Sequence, residues 1–226
     1  KECSGKIPVI AGTGSNSTDE AVELSQYAEK AGSDALLVVT PYYNKPTQEG
    51  LYQHYKKIND SVGIPIIIYN IPSRSVIDMS VETMSKLYEL KNITGVKDAT
   101  GDLNRVDQQL KAMGKDFIQL TGNDDNALEF NKRGGVGAIG VTANIAAKIS
   151  SDFQKACEQK NEEAESLDKL LQPLHSALFI ESNPSPVKYA ASLLGMCNPS
   201  VRLPLVEIRE ETKKKVSEAL KVAKLL

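Results

Sequence analysis

The stretch PIIIYNIPSR at residues 65–74 decides the fold class of this chain. Residues 65–70 are almost continuously apolar, which is typical of a strand that is covered on both faces of a parallel sheet. A proline turn then ends the run. Similar runs recur at intervals of about 30 residues with amphipathic helical stretches between them, which is the pattern of repeated strand–helix units. We predict six strands, at residues 7–13, 34–40, 65–70, 93–99, 117–122 and 136–141.

Capping residues mark the predicted helix boundaries. Ser17 and Glu20 form a capping-box pattern ahead of an amphipathic helix, and Gly32 lies where a left-handed C-cap is expected. The other predicted caps are Thr47, Ser80, Gly114 and Gly134. After residue 144 the strand pattern stops. Helices are predicted at residues 145–160, 162–179, 186–195 and 208–226.

Six strand–helix units of this length predict a (β/α)8 TIM-type barrel that lacks its first two units, since eight units need about 250 residues. Residues 1–150 would form this partial barrel, and residues 151–226 a C-terminal helical extension. The chain opens on Lys1 rather than on methionine, so we expect that two units lie upstream or that another chain fills the gap. A doubly wound open sheet is the structural alternative, although GTGSNST lacks the GxGxxG spacing of a phosphate-binding loop and GGVGAIG precedes a predicted strand rather than a helix.

The composition is that of an ordinary soluble globular protein. The 226 residues are 41% hydrophobic and 25% charged, with a formal net charge of −2. These values exclude disordered, collagen-like and disulfide-rich classes, and the charge argues against a nucleic-acid partner. No apolar run reaches the roughly 18 residues that a membrane span needs. Cys3, Cys157 and Cys197 show no metal-ligand spacing, so we expect reduced structural thiols and a cytoplasmic protein.

Polar residues at the strand ends are the candidates for chemistry, because a barrel carries its active site at the carboxyl ends of its strands. Lys97 in ITGVKDA is the most unusual of them, since an ammonium group is costly inside an apolar strand. It shares a strand face with Gly95, which would leave space beside the lysine side chain. Desolvation would favour the neutral amine, which attacks carbonyls to form an imine. The alternative is a lysine whose head reaches solvent from a strand end.

Four further side chains accompany Lys97 at the predicted strand ends. Tyr69 is either a packed core aromatic or a proton donor and acceptor for an imine. Tyr42 and Tyr43 would point to opposite sides if strand geometry continued, so that one of them would face the site. Arg74 would either bind a substrate carboxylate in bidentate fashion or form a surface ion pair.

The remaining titratable residues are interpreted as structural. His54 and His175 lie on helical patterns and have no partner at ligand spacing. Asp124 and Asp125 are expected to cap the next helix. We therefore predict neither a metal site nor a cofactor.

Four segments carry a resemblance to a known family. They are TPYYNKPTQEGLYQHY, YNIPSRS, GVKDATGDLNR and GGVGAIGVTAN, and they occur in this order along the chain. Together they closely resemble the dihydrodipicolinate synthase family, and the resemblance extends from Ile7 to Leu226. It implies a pyruvate-dependent class I aldolase-type lyase that condenses pyruvate with L-aspartate 4-semialdehyde in lysine biosynthesis. It also implies that the reaction needs no metal and no organic cofactor.

The resemblance implies a role for each matched residue. Lys97 would form a Schiff base with pyruvate, and Tyr69 would protonate and deprotonate along that path. Tyr43 would reach across a dimer interface to complete a proton relay. Arg74 would bind aspartate semialdehyde at the site entrance, and the related N-acetylneuraminate lyases usually lack this arginine. The remaining matched positions are Ile139 and Gly122 in the pyruvate pocket and Asn16, Glu20 and Tyr42 in the lysine feedback site of regulated members.

One part of the family pattern is not found in this sequence. Family members carry two further N-terminal units with a GTTGE-like motif, whose threonine joins the proton relay and whose backbone holds the pyruvate carboxylate. Two alternatives therefore stand beside the synthase: a retro-aldolase of the N-acetylneuraminate lyase type, and a catalytically silent truncated barrel that assembles with a complete subunit. The resemblance also implies a homo-oligomer built as a dimer of dimers.

Overall fold

The computed structural model describes residue 3 and residues 5–226, which divide into two compact units. The first unit holds the described residues up to Asn123 together with Arg133–Ala138. The second holds Asp124–Lys132 and Ile139–Leu226. All six strands lie in the first unit. The domain boundary predicted at residue 150 stays a prediction.

One parallel six-stranded sheet forms the centre of the first unit, and neighbours in the sheet are neighbours in sequence. The strands are β1 (Ile10–Gly12), β2 (Ala35–Val39), β3 (Ile66–Asn70), β4 (Ile93–Asp98), β5 (Ile118–Thr121) and β6 (Gly137–Ala138). All six predicted strands are confirmed, each inside its predicted range. A doubly wound sheet would change direction at a switch point in its strand order, so this order excludes that alternative.

Five helices connect the strands of the first unit. They are α1 (Thr18–Lys30), α2 (Gln48–Asn59), α3 (Pro72–Ser75), α4 (Val81–Tyr88) and α5 (Asn104–Met113). The predicted N-caps are confirmed, because the side chains of Ser17, Thr47 and Ser80 each accept a hydrogen bond from a backbone N–H in the first helical turn. Gly32 has a φ of 88° just after α1, as a left-handed cap requires. Gly114 ends α5 with a φ of 78° and a ψ of −179°, an extended conformation that glycine adopts readily.

The capping box at α1 is only half formed. The Ser17 Oγ accepts from the backbone N–H of Glu20 at 3.5 Å. The Glu20 carboxylate does not return to Ser17, as a capping box would require, but accepts a hydrogen bond from the Ser15 hydroxyl. The Ser15 Oγ in turn accepts from the backbone N–H of Ser17 at 3.2 Å. The Ser15 hydroxyl thus links Glu20 to the Ser17 N–H, in place of the direct hydrogen bond that the pattern predicts.

The first strand is less buried than its sequence predicts. Residues 7–13 have the pattern of a fully buried strand, but Ile7 and Ile10 are 61% and 40% exposed. Among the described residues β1 pairs with β2 alone, so one edge of β1 has no neighbouring strand. The prediction of complete burial is therefore wrong for β1, while β2 to β4 each bury apolar side chains completely.

The core of the first unit packs side chains of the sheet against its helices. The large, fully buried members are Leu36, Leu51, Tyr55, Ile58, Ile66, Ile68, Met79, Met84, Leu87, Ile93 and Phe117. Full burial of an aliphatic side chain of this size contributes about 1.5–3 kcal/mol. The Tyr55 hydroxyl meets its hydrogen-bonding need inside this core by donating to the Val38 carbonyl at 2.7 Å. This packing holds β2, β3 and β4 as a rigid platform.

The second unit is helical. Its helices are α6 (Ala127–Lys132), α7 (Ala147–Glu158), α8 (Glu163–Ala177), α9 (Ser185–Leu193) and α10 (Glu210–Val222), with short 3-10 helices at Asp124–Asn126 and Thr142–Asn144. The four helices predicted after residue 144 are thereby confirmed, with ends that differ by one or two residues except at α10, which ends at Val222, four residues before its predicted end. No helix in the described part of the chain is both long and apolar enough to cross a membrane.

Asp124 does not cap the helix that follows it, contrary to the prediction. Its carboxylate accepts hydrogen bonds from the backbone N–H groups of Val141 and Thr142, at 2.7 and 3.0 Å. The interpretation of both histidines as structural agrees with their contacts. The His175 Nδ1 lies 2.7 Å from the Thr142 hydroxyl, and the His54 Nδ1 lies 2.9 Å from a threonine hydroxyl of α1.

Candidate active site

Lys97 and Tyr69 lie side by side near the carboxyl ends of two neighbouring strands. Each is the next-to-last residue of its strand, and the parallel register of β3 and β4 pairs them directly. The Lys97 Nζ lies 4.0 Å from the centroid of the Tyr69 ring, a distance at which an ammonium group is attracted to the ring face. Both residues are half-buried. The register of the sheet therefore brings together an amine and a phenol.

Gly122 provides the space that the lysine side chain occupies. A Cβ at Gly122 would lie 3.1 Å from the Lys97 Cε and 2.6 Å from the Ala99 Cβ, closer than carbon atoms pack. Gly95, which the sequence suggests for this purpose, serves a different one. Its absent side chain admits Ile118 of β5, whose carbonyl oxygen would be 2.3 Å from a Cβ. The glycine beside the lysine therefore comes from the neighbouring strand end, not from the strand of Lys97.

The environment of Tyr69 keeps its phenol protonated. Burial raises the pKa of Tyr69, and the positive charge of Arg74 opposes this shift. A phenol whose pKa lies above its usual value of about 10 is protonated at neutral pH, which is the form that donates a proton.

Arg74 is presented by the short helix α3, directly after β3. Pro72 opens this turn, where its fixed φ suits the first helical position. Val76 closes it with a left-handed φ of 69°. The arginine side chain is exposed, so the turn places a guanidinium group at the surface beside the carboxyl end of the strand that carries Tyr69.

Tyr42 and Tyr43 do not continue the strand that precedes them. β2 ends at Val39, and Tyr43 has a φ of 75°, which is a rare and strained conformation for an aromatic residue. Strand geometry therefore does not continue to Tyr43, and the condition under which the two side chains would alternate is not met. Tyr42 is 42% exposed and Tyr43 is 87% exposed, so the strained turn projects the second phenol from the surface of the first unit.

Asn16, Glu20 and Tyr42 come from two segments that one hydrogen bond joins. The Asn44 Nδ2 donates to the Asn16 carbonyl at 2.8 Å, and the Asn44 N–H donates to the Tyr42 carbonyl at 3.0 Å. Glu20 lies in the first turn of α1, just after Asn16. The side chains matched to a lysine feedback site thus stand on adjoining segments of the first unit. Ile139 follows β6 directly, belongs to the second unit and is half-buried.

A buried polar network beside Lys97 is not found by sequence reasoning. Asp98, the residue after Lys97, is 5% exposed and accepts hydrogen bonds from Arg105 and Gln109 of α5. Arg105 and Gln109 stand one helical turn apart, on the same face of α5. That spacing is the only sequence signal, because nothing in the sequence shows that this face packs over the end of β4. Among the described residues no three or more His, Cys, Asp or Glu side chains are grouped to hold a metal ion.

Comparisons with known proteins agree on one family. The sequence model of the Dihydrodipicolinate synthetase family matches residues 1–223. A 4-hydroxy-tetrahydrodipicolinate synthase of Pelagibacter ubique is 71% identical over 230 residues, which cover 100% of this chain and 78% of the relative. A protein of the same name from Bradyrhizobium diazoefficiens is 59% identical over 229 residues, which cover 100% of this chain and 77% of the relative.

Solved structures give the same result. The crystal structure of the chloride-inhibited dihydrodipicolinate synthase from Acinetobacter baumannii, in complex with pyruvate, has a TM-score of 0.96 and 45% sequence identity. The match covers 99% of this chain and 77% of that one. The dihydrodipicolinate synthase from Cyanidioschyzon merolae, solved with lysine bound, has a TM-score of 0.94 and 36% sequence identity. That match covers 99% of this chain and 76% of the Cyanidioschyzon chain.

Proposed function

The chain belongs to the Dihydrodipicolinate synthetase family, and on that premise we propose that it is a pyruvate-dependent lyase of lysine and diaminopimelate biosynthesis. Its reaction condenses pyruvate with L-aspartate 4-semialdehyde to give 4-hydroxy-tetrahydrodipicolinate. The observation that carries the proposal is the 4.0 Å contact between the Lys97 amine and the Tyr69 ring at two paired strand ends.

The first step assigned to this pair is formation of an imine. The neutral Lys97 amine attacks the keto carbon of pyruvate, a C–N bond forms and the keto oxygen leaves as water. The protonated Tyr69 phenol supplies a proton to that oxygen, a role for which its raised pKa suits it. The space beside Gly122 lets the lysine chain lie where this attack takes place.

Carbon–carbon bond formation follows from the imine. A methyl proton of the bound pyruvate passes to the relay, which leaves an enamine. The enamine carbon attacks the aldehyde carbon of aspartate semialdehyde, whose oxygen takes a proton and becomes a hydroxyl group. The amine of the semialdehyde then attacks the imine carbon, closes the ring and releases Lys97 as a free amine. In these steps water and the Lys97 amine are the leaving groups, and each proton that is released is taken up again. The proposed reaction therefore uses no metal and no organic cofactor.

Arg74 is assigned to the semialdehyde carboxylate. Its guanidinium group is exposed beside the strand that carries Tyr69, and a planar fork of donors suits bidentate binding of a carboxylate. Gly122 and Ile139 are assigned to the pyruvate pocket. Support for Gly122 is that a Cβ there would lie 3.1 Å from the Lys97 Cε, and support for Ile139 is its match to the family motif GGVGAIGVTAN.

Tyr43 is assigned to the proton relay of a neighbouring subunit, in a homo-oligomer built as a dimer of dimers. Support comes from its 87% exposure and its left-handed φ of 75°, since strain of this kind persists where a side chain has a functional position to hold. Asn16, Glu20 and Tyr42 are assigned to a lysine feedback site. The relative from Cyanidioschyzon merolae was solved with lysine bound, which supports that assignment.

The fold of the family is the TIM barrel, and this chain contributes a parallel sheet of six strands to it. We propose that α7 to α10 form the C-terminal extension, supported by four consecutive helices with no strand between them in the described residues. We also propose a cytoplasmic location. It is supported by the thiols of Cys3, Cys157 and Cys197, which are free.

Borohydride trapping tests the proposed function. The protein is reduced in the presence of pyruvate, and the modified residue is located by mass spectrometry. We expect a three-carbon adduct at Lys97 in the wild type, none in Lys97→Arg, and an unchanged adduct in the control Lys91→Arg, which alters an exposed lysine just before the same strand. A protein that gives no adduct would be the catalytically silent barrel, and the proposal would be wrong.

A coupled assay then separates the two enzymatic functions. With aspartate semialdehyde as the second substrate we expect turnover, and with N-acetylneuraminate we expect none. The presence of Arg74 favours the synthase, because a sugar-acid lyase would not need it. Turnover of N-acetylneuraminate without turnover of the semialdehyde would establish the retro-aldolase instead.

A further inference from the structure

We propose that Asp98 and Arg105 are positioning residues for the imine-forming lysine. Their buried ion pair fixes the carboxyl end of β4, so that the Lys97 amine stands against Tyr69. The inference rests on the proposed function and extends it to residues that touch neither substrate nor the reacting amine. The two side chains are 4% and 10% exposed, and the Arg105 Nε donates to the Asp98 Oδ2 at 2.8 Å.

The Asp98 carboxylate is saturated with hydrogen-bond donors. Oδ1 accepts from the backbone N–H and the hydroxyl of Thr100, at 3.0 and 2.6 Å. Oδ2 accepts from Arg105 and from the Gln109 Nε2, at 2.8 and 2.9 Å. Four donors from the loop after β4 and from α5 therefore converge on two oxygens. A neutral amide of the same shape has only one acceptor oxygen and would direct its NH₂ group at donors.

Arg105 connects this carboxylate to the end of β3. One of its terminal nitrogens donates to the Met79 carbonyl at 2.9 Å, and the other lies 3.5 Å from the Asp78 carboxylate. Both of these residues are also bound by Asn70, the last residue of β3. The Asn70 amide donates to Asp78 at 2.7 Å, and its oxygen accepts from the Met79 N–H at 3.0 Å.

The network acts on the site through the register of the sheet. Asn70 pairs with Asp98, and the pair directly before it is Tyr69 with Lys97. Because side chains alternate along a strand, Asn70 and Asp98 face away from the side that Tyr69 and Lys97 occupy. The network thus clamps both strand ends from behind, one residue beyond the reacting pair. Its hydrogen bonds run to protein groups on the side away from the reacting pair, so the effect we propose is one of position.

The buried location distinguishes this ion pair from an ordinary surface pair. The other ion pairs of the described residues have at least one partner that is more than a third exposed. A buried pair is costly to form and contributes little net stability. What it provides is a defined geometry, since any shift of Asp98 would break several of its four hydrogen bonds at once.

The test compares isosteric exchanges at the two ends of β4. Asp98→Asn removes the charge at the end beside Lys97. The control Asn92→Asp makes the reverse exchange just before β4, where the Asn92 Nδ2 donates to the carbonyls of Asn59 and Val62 at 3.0 and 2.8 Å. The rate of imine formation at Lys97 is followed in single turnovers by borohydride quenching, at a temperature where circular dichroism shows each variant folded.

We expect Asp98→Asn to slow imine formation by about 30- to 100-fold, with the pyruvate concentration for half-saturation changed less than about 3-fold. Asn92→Asp is expected to stay within about 3-fold of the wild-type rate, although it also lowers the melting temperature. Where Asp98→Asn does not fold, Arg105→Lys takes its place. It keeps the cation but loses the fork of donors, and about a 10-fold slower rate is expected.

Each other outcome is decisive. A wild-type adduct together with equal rates in Asp98→Asn and Asn92→Asp would overturn the positioning role and leave the proposed function intact. A large increase in the pyruvate concentration needed for half-saturation, with an unchanged limiting rate, would also overturn it, because the network would then serve pyruvate binding. A wild type that forms no adduct would refute the proposed function, and this inference with it.

Discussion

Gly122→Ala is predicted to disable the lysine while leaving the fold in place. The added Cβ would lie 2.6 Å from the Ala99 Cβ, 3.3 Å from the Ala99 Cα and 3.1 Å from the Lys97 Cε. Carbon atoms pack at about 3.5–4.0 Å, so the contact with Ala99 is too short by about 1 Å. Ala99 is buried and its N–H is bonded to the Asn70 carbonyl at 2.8 Å, so it resists displacement. The contact with Ala99 is relieved only by a small shift of the backbone around Gly122, whereas the contact with Lys97 is relieved by movement of its flexible side chain.

The magnitude follows from these overlaps. Overpacking of this kind costs about 1–3 kcal/mol, and each kcal/mol lowers the melting temperature of a chain of this size by about 2–4 °C. Relief of the 3.1 Å contact moves the end of the Lys97 side chain by about 0.4–0.9 Å, and misplacement of the amine approaching 1 Å slows the reaction by up to about 100-fold. We therefore expect a modest loss of thermal stability and a large loss in the rate of imine formation.

The assay measures borohydride-trapped adduct against time, with thermal melting in parallel. Gly12→Ala is the matched control, because it also lies at the end of a strand of this sheet and a Cβ there would meet no atom within 4 Å. It should leave both measurements unchanged. Adding Ala99→Gly to Gly122→Ala removes the shortest contact and should recover most of the stability. Imine formation at the wild-type rate in Gly122→Ala would refute the reasoning.

The remaining predictions concern single groups. Tyr69→Phe keeps the ring beside Lys97 but removes the phenolic hydroxyl. Turnover should therefore fall by about 100-fold or more with little change in melting temperature. Unchanged turnover would show that Tyr69 takes no part in proton transfer. Burial raises the pKa of Tyr69 in the folded protein, so above about pH 10 the phenol ionises more readily in the unfolded chain. The wild type should therefore lose stability relative to Tyr69→Phe as the pH rises above about 10. Urea unfolding free energies that change equally with pH in both proteins would contradict this. Burial lowers the pKa of His54 to about 4, so the free energy of unfolding should decrease as the pH falls from 6.5 towards 4, and His54→Gln should remove that part of the slope. Asp124→Ala leaves the N–H groups of Val141 and Thr142 without their acceptor and should cost about 1–3 kcal/mol by chemical denaturation, whereas an unchanged midpoint would show that water replaces the carboxylate.

The strands and most helix ends were predictable because their causes are local. A short apolar run that is rich in β-branched residues and ends at a proline turn, such as residues 65–70, is typical of a buried parallel strand. A serine or threonine ahead of a helix caps it wherever that helix lies. The pairing of Tyr69 with Lys97 was also within reach, since polar residues that end neighbouring parallel strands meet at one edge of the sheet.

The details that depend on neighbours across the sheet were not predictable. The sequence places Gly95 beside Lys97 on one strand, but the glycine that contacts the lysine is Gly122, after β5. Likewise Asp124 stands ahead of a helix, yet backbone groups far along the chain compete for its carboxylate and bind it. The pairing of Asp98 with Arg105 depends on how α5 packs, which no local pattern specifies.

The strand order of the first unit has a kinetic consequence. Each strand from β2 to β6 pairs with the strand that precedes it in the chain, so each pairing closes a loop of only about 15 to 30 residues. Short loops carry a small entropic cost, and a sheet with this connectivity is able to grow one strand at a time. We therefore expect β2, β3 and β4 to assemble during synthesis, before the helices α7 to α10 of the second unit have emerged from the ribosome.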